Sequence, residues 1–230
     1  MSLQVIAVGP PRTGTTSIKA ALLQLGFGRC MHMDELFNQP RLVDYWVELF
    51  DTGDTDFDAL FADYRSSTDF PGCLAYHELL ERYPDARFIV NYRDPESWYA
   101  SMLSTVYAVV PKTNEAKQAL LAKGIAEPRF RSIAKTLDLV NDYLLEGLFA
   151  GAFTDKEATL ERYHRFFADL RDAIPADRRL DYDVREGWEP LCAFLQLPVP
   201  EGAFPVKNQR ADFIAQVGGM INGGGTLQLK

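Results

Sequence analysis

The sequence predicts an α/β fold in three layers, a central parallel sheet flanked by helices, with a helical cap on one side. Two stretches carry the prediction. From Leu3 to Val8 a run rich in β-branched residues ends at Gly9-Pro10-Pro11, and an amphipathic run begins at Thr15, which reads as strand, tight loop and helix. A second apolar run, Phe88-Ile89-Val90-Asn91-Tyr92, leads at once into Asp94-Pro95, a natural helix N-cap followed by proline at the first helical position. Near-continuous apolar strands, each feeding a helix, suit a parallel sheet buried on both faces.

The first junction also carries chemistry. Gly9-x-x-x-x-Gly14 matches the opening of a phosphate-binding loop, whose glycines let backbone N–H groups converge on phosphate oxygens at a helix N-terminus. This makes the expected fold P-loop NTPase-like. Thr16 stands at the Ser/Thr position of that motif, but Thr15 replaces its lysine, so ordinary ATP or GTP hydrolysis is disfavoured. Arg12 is the substitute cation. The competing reading is a chance glycine-rich βα turn.

Chain-wide properties bound the rest. A chain of 230 residues lies within the range of one α/β domain, and 47 % hydrophobic content is ordinary for a globular protein. Residues 1–217 are read as a single domain with the cap at about 111–173, and 218–230, containing Gly223-Gly224-Gly225, as a flexible tail. No apolar run approaches the ~20 residues needed to span a bilayer. Met1-Ser2-Leu3-Gln4 offers neither a basic leader nor a cleavage site, so the expectation is a cytoplasmic protein. Cys30, Cys73 and Cys192 are widely spaced and odd in number, as expected for reduced, buried thiols. The net charge of −8 argues against nucleic acid or an anionic membrane surface as partner, so any anion site must be local.

Further along, Gly26-Phe27-Gly28 reads as a helix stop, and His32 falls in a connecting segment before a helix from Asp34. Between Asp51 and Asp63 five aspartates suggest a calcium loop, but no glycine occupies its sixth position and no glutamate closes it. Capping and loop carboxylates are the better reading. Asp69 begins a loop, His77 to Arg82 a helix, and Arg87 to Tyr92 a strand. From Pro111 to Ala173 the pattern is helical, broken at Gly124, Pro128, Gly147 and Gly151, with aromatics expected mostly in the core. Arg179 to Val184 reads as a short strand and Arg185 to Leu195 as a helix.

Several of these residues fit one family. Pro11-Arg12-Thr13-Gly14-Thr15-Thr16 resembles the Pro-Lys/Arg-Ser/Thr-Gly-Thr-Thr loop of sulfotransferases. Arg93 at a strand end and Ser101 eight residues later are similar to that family's pair for a nucleotide 3′-phosphate. Gly187-Trp188-Glu189-Pro190-Leu191-Cys192, then Pro198-Val199-Pro200 and Phe204-Pro205-Val206-Lys207-Asn208, resemble the end of one subfamily, so the likeness runs from Val5 to about Phe213. It implies transfer of a sulfuryl group from 3′-phosphoadenosine-5′-phosphosulfate (PAPS) to a hydroxyl or amine of a small-molecule acceptor, without a metal. Pro11, Arg12, Thr13, Gly14, Thr15, Thr16 and Ser17 would surround the 5′-phosphosulfate end, and Arg93, Ser101 and Lys207 the 3′-phosphate. The resemblance says nothing of oligomeric state, and a homodimer stays open.

The chain also departs from that pattern. Many cytosolic members place tryptophan where Ser17 stands, so adenine must stack elsewhere, and their basic glycine-rich C-terminal loop is missing. Their catalytic histidine falls here near Asp69 to Pro71, which makes Asp69 the first candidate for the base, His77 the second and His32 the third. An Asx-turn before Pro71 is the competing reading for Asp69. Two other functions remain in view: a P-loop kinase of a small molecule, which would need magnesium, and a nucleotide-binding protein without turnover.

Overall fold

Five parallel strands form the sheet of the computed structural model, which describes residues 2–110, 115, 118–119, 122–124 and 128–206. Strand β1 (Val5–Ala7) lies at the centre, pairing with β3 (Ser66–Ser67) on one side and β4 (Arg87–Asn91) on the other. Outside them lie β2 (Cys30–Met31) and β5 (Arg179–Tyr182), for an order β2-β3-β1-β4-β5. From β1 the chain crosses towards β2, whereas from β4 it continues towards β5. The strand order therefore reverses between β1 and β4, and ligands of open α/β sheets bind outside the strand C-termini at such a point.

Helix α1 (Thr15–Gln24) follows β1. Then come α2 (Met33–Asn38), α3 (Pro40–Thr52), α4 (Phe57–Leu60), α5 (Tyr76–Arg82), α6 (Pro95–Leu103) and α7 (Val106–Val109). Helix α8 (Pro128–Leu139) runs into a π-helical segment (Val140–Leu148), and α9 (Lys156–Ala173) and α10 (Trp188–Leu195) complete the order. Alternation along β1 and β4 supplies two cores. Ile6, Val8, Phe88 and Val90 join the larger core, with residues of α3, α6, the π-helical segment and α9. Val5, Ala7 and Ile89 point the other way, onto Ile18 and Leu22 of α1 and Leu191 and Leu195 of α10. Helices thus cover both sheet faces, the three-layer arrangement expected from the apolar runs.

The aromatics of the long helical region are core residues: Phe130, Phe149, Phe153, Tyr163, Phe166 and Phe167 are buried, while Tyr107 and Tyr143 are partly covered. Trp98 of α6 is their hub, 4.2 Å from the Tyr163 ring and 5.4 Å from Phe149 between centroids. Two expectations are corrected. Gly147 does not break its helix, because the π-helical segment runs through to Leu148. Arg185 to Leu195 is not one helix: a 3-10 turn, Val184–Glu186, is separated from α10 by Gly187 at φ 74°. The three cysteines are free and buried. Asp56 caps α4 by accepting from the Ala59 N–H, and Asp58 pairs with Arg82. No helix of the described residues is long and apolar enough to cross a membrane. The tail at 218–230 lies outside the described residues.

Candidate active site

The loop after β1 is held by one side chain of β4. Asn91 Oδ1 accepts from the Gly9 N–H at 2.7 Å, and Asn91 Nδ2 donates to Thr13 Oγ1 at 2.6 Å. Thr13 Oγ1 in turn donates to the Pro10 carbonyl at 2.7 Å. Glycine is required at position 9, where a Cβ would sit 2.0 Å from the Asn91 carbonyl oxygen. Gly14 is the N-cap of α1 at φ 92° and provides no capping side chain. A helix N-terminus attracts an anion.

A second loop meets the first. Asp94 caps α6 by accepting from the Ser97 N–H at 2.9 Å, as its position before Pro95 predicts. Tyr163 of α9 fixes the backbone of Arg93: its hydroxyl donates to the Arg93 carbonyl at 2.8 Å and accepts from the Arg93 N–H at 3.2 Å. Arg93 Nη1 donates to the Arg12 carbonyl at 3.4 Å, Arg12 Nε to Ser101 Oγ at 3.0 Å, and Trp98 Nε1 to the Pro11 carbonyl at 3.0 Å. Between the two loops lies a cavity of about 460 Å³. Residues 12–17 form one wall, residues 92–94 with Ser97 and Ser101 a second, and residues 183–185 a third.

Of the residues expected to bind a nucleotide, Arg12, Thr13, Gly14, Thr15, Thr16, Ser17, Arg93 and Ser101 share this cavity. Pro11 lies behind it, as the acceptor for Trp98. Lys207 and Arg210 lie outside the described residues. Sequence reasoning missed Asn91 and the wall around Val184 and Arg185. Asn91 closes an otherwise apolar strand, a weak signal of a buried polar clamp, whereas nothing in the local sequence brings residues 183–185 to the first loop.

The three candidate bases part company. His77 is exposed on α5, its ring tilted against that of Tyr76 with centroids 4.2 Å apart, and is not among the residues lining the cavity. Asp69 and His32 meet: Asp69 Oδ2 lies 3.2 Å from His32 Nε2, which is also 3.3 Å from Thr15 Oγ1 and 3.4 Å from Thr16 Oγ1. Asp69 is 2 % exposed and His32 5 %, so neither lines the cavity itself. Arg12 and Asp69 also share a backbone property. Both hold φ above 70°, and only two other non-glycine residues among those described, Ala150 and Gln196, have positive φ. Such conformations cost of order 1–3 kcal/mol each and concentrate at functional sites.

A family model described as a sulfotransferase domain matches residues 4–213. The chain belongs to the sulfotransferase family. Among its relatives, the Ava biosynthesis cluster protein M of Aspergillus versicolor is 29 % identical over 214 residues, 88 % of this chain and 80 % of that protein. A sulfotransferase of Alicyclobacillus acidocaldarius, solved by crystallography, is 16 % identical, with 90 % of this chain and 85 % of that one covered and a TM-score of 0.40.

This sulfotransferase is an enzyme, and the surroundings of Arg12, His32 and Asp69 shift their pKa values. Burial lowers the Arg12 pKa and neighbouring Arg93 adds to that, with Asp69 opposing them. Burial lifts the Asp69 carboxyl above the usual carboxylate range, although His32 pulls it back. His32 is raised above the ordinary histidine value: burial disfavours its charge, but Asp34 and Asp69 outweigh that. Asp69 Oδ1 has no hydrogen bond of sound geometry, although the Phe70 N–H lies near enough to the carboxylate to favour its ionised form.

Proposed function

We propose that the enzyme binds PAPS in the cavity between the two loops and transfers its sulfuryl group to a hydroxyl or amine of a small-molecule acceptor. The observation that carries this reading is the convergence of Thr13–Ser17 and of Arg93 with Ser101 on one cavity, although the two groups lie far apart in sequence. One wall offers helix N-terminal amides to the 5′-phosphate. The other offers Arg93, suited by its planar fork to a phosphate. The adenine would lie between Tyr92 and Val184, since Ser17 cannot stack on it.

The acceptor oxygen attacks sulfur as the bond from sulfur to the 5′-phosphate oxygen breaks. Adenosine 3′,5′-bisphosphate leaves with the electron pair, and the acceptor's proton passes to Asp69. Arg12 stabilises charge growing on the bridging oxygen, a role for preorganised donors where charge develops. Asp69 suits a base because burial raises its pKa towards neutrality. Being 2 % exposed, it meets an acceptor only once the segment covering it yields.

A thermal-shift comparison of adenosine 3′,5′-bisphosphate with ATP and magnesium tests the donor class. A ligand at a hundred times its Kd adds about 2.7 kcal/mol of stability. The bisphosphate is expected to give the larger shift, and a larger one with ATP-Mg would favour a kinase. Arg93→Ala should weaken the bisphosphate by about 1.5–3 kcal/mol and spare AMP, which lacks the 3′-phosphate. Equal losses for both ligands would remove Arg93 from that role.

A further inference from the structure

His32 stands at the meeting point of three segments. From α1 come the hydroxyls of Thr15 and Thr16 and the ammonium of Lys19, from the first turn of its own helix α2 Asp34, and from the loop after β3 Asp69, which Arg12 also faces. The two ring nitrogens face different partners. Nδ1 lies 3.0 Å from Asp34 Oδ1 and 3.2 Å from the Asp34 N–H, the position of an N-cap acceptor for α2. These contacts exclude one another, because a bare Nδ1 accepts from the amide and a protonated one donates to the carboxylate. Nε2 lies nearest to Asp69 Oδ2, with the Thr15 and Thr16 hydroxyls slightly farther off. In the imidazolium, and in the neutral tautomer whose bare Nδ1 accepts from the Asp34 amide, the proton on Nε2 faces Asp69 Oδ2 at 3.2 Å.

We infer that His32 is a positioning residue, whose Nε2–H holds Asp69 by Oδ2 and leaves Oδ1 to take the acceptor's proton. The inference rests on Asp69 being the base proposed above. It removes His32 itself from the candidates, since a nitrogen that already bears a proton in both states cannot accept another. It also accounts for Asp69 Oδ1, a buried carboxylate oxygen with no hydrogen bond of sound geometry beside an Oδ2 that faces His32. A buried acceptor left without a partner is costly and calls for an explanation, and proton transfer supplies one.

Nitrogen-detected NMR of the full chain tests the geometry without any acceptor. Nε2 should stay protonated between about pH 5 and pH 9, while Nδ1 should lose its proton only above the ordinary histidine value of about 6.5. Asp34→Asn and Asp69→Asn should each lower that titration. A bare Nε2 at neutral pH would overturn the inference. Turnover of PAPS with a panel of phenols and primary alcohols tests the consequence. His32→Ala should lower kcat about 10- to 100-fold, the kinetic equivalent of one charge-assisted hydrogen bond, with the bisphosphate Kd within about threefold of the parent. His32→Gln, whose amide can reach the place of Nε2, should recover most of the loss, and a glutamine variant no better than alanine would count against positioning. Full activity in Asp69→Asn would sink the base reading and leave the NMR result to stand by itself. If no acceptor in the panel is turned over, or His32→Ala does not fold, the NMR of the parent and of Asp34→Asn decides.

Discussion

Asn91 and Thr13 are joined by a 2.6 Å hydrogen bond across the junction of β4 and the phosphate loop, and both side chains are buried. Because Asn91 also accepts from the Gly9 N–H, one side chain fixes the loop at its entry and at its turn. Asn91→Ala leaves the Gly9 N–H without that partner, and such a loss costs about 1–3 kcal/mol. Thr13→Val should cost less, and the double variant less than the sum of the two, with a coupling of about 0.5 kcal/mol or more. Urea unfolding of the four proteins measures it, and strict additivity would show that the two residues act separately.

Gly14 and Gly53 both have positive φ, at 92° and 80°, but only Gly14 has a neighbour. A Cβ at Gly14 would meet Val184 Cγ1 at 2.5 Å, whereas at Gly53 nothing lies within 4 Å. Gly53→Ala should therefore cost only the backbone term, about 1–2 kcal/mol of stability, and leave bisphosphate binding unchanged. Gly14→Ala should cost more and weaken the bisphosphate as well. Adding Val184→Ala should restore part of the loss. Isothermal titration with the bisphosphate reads all three, and equal affinity in both glycine variants would mean that Val184 does not hold the loop.

The strands and helices bearing the two loops were legible because each stretch repeats one local message: an apolar run, a turn residue, a capping residue. β2 and β3 were not, since strands of two residues, Cys30–Met31 and Ser66–Ser67, are too short to show a period. Gly187 reads as an ordinary helix residue until its φ of 74° is known. The nucleotide side of the site was legible for the same reason as the strands, because its glycines, Arg12 and Arg93 lie at strand ends. The base was not. His32 looks like a lone histidine between methionines, and only the sheet order, which sets β2 beside β3, brings it within 3.2 Å of Asp69.

Asp34 gives a pH dependence with a defined sign. Burial pushes its carboxyl up, but His32 and Lys19 outweigh that and hold it well below the usual carboxylate range. With a depressed folded pKa, its contribution is fully present above the unfolded value of about 3.9 and is lost as the pH falls through the folded one. His32 is raised, so its share is fully present below about 6.5 and is lost as the pH rises through its folded value. The stability difference between the parent and Asp34→Asn should therefore be widest between about pH 4 and pH 6.5 and narrow on both sides. Denaturant unfolding from about pH 3 to about pH 9 checks this, and a difference that stays flat above pH 4 would show that Asp34 does not hold the charge on His32 in the folded protein.

The base can be tested without disturbing the backbone that holds it. Asp69 sits at φ 76°, a conformation that asparagine tolerates nearly as well as aspartate and alanine does not. Asp69→Asn therefore keeps the loop, the side-chain volume and an amide oxygen or nitrogen facing His32, and removes the carboxylate's charge together with its capacity to take a proton. If Asp69 is the base, turnover should fall by about 10²–10⁴ while bisphosphate affinity stays nearly unchanged, because only the transition state needs the proton accepted. The loss should be smallest for the most acidic phenols, whose hydroxyls part with the proton without help. Asp69→Ala would add a backbone penalty of about 1–2 kcal/mol in stability, so the two variants separate chemistry from strain. His77→Asn, at an exposed position of α5, should leave kcat within about twofold of the parent. The reverse pattern, full turnover in Asp69→Asn and loss in His77→Asn, would transfer the proton to His77 and require α5 to move towards the sheet during the reaction.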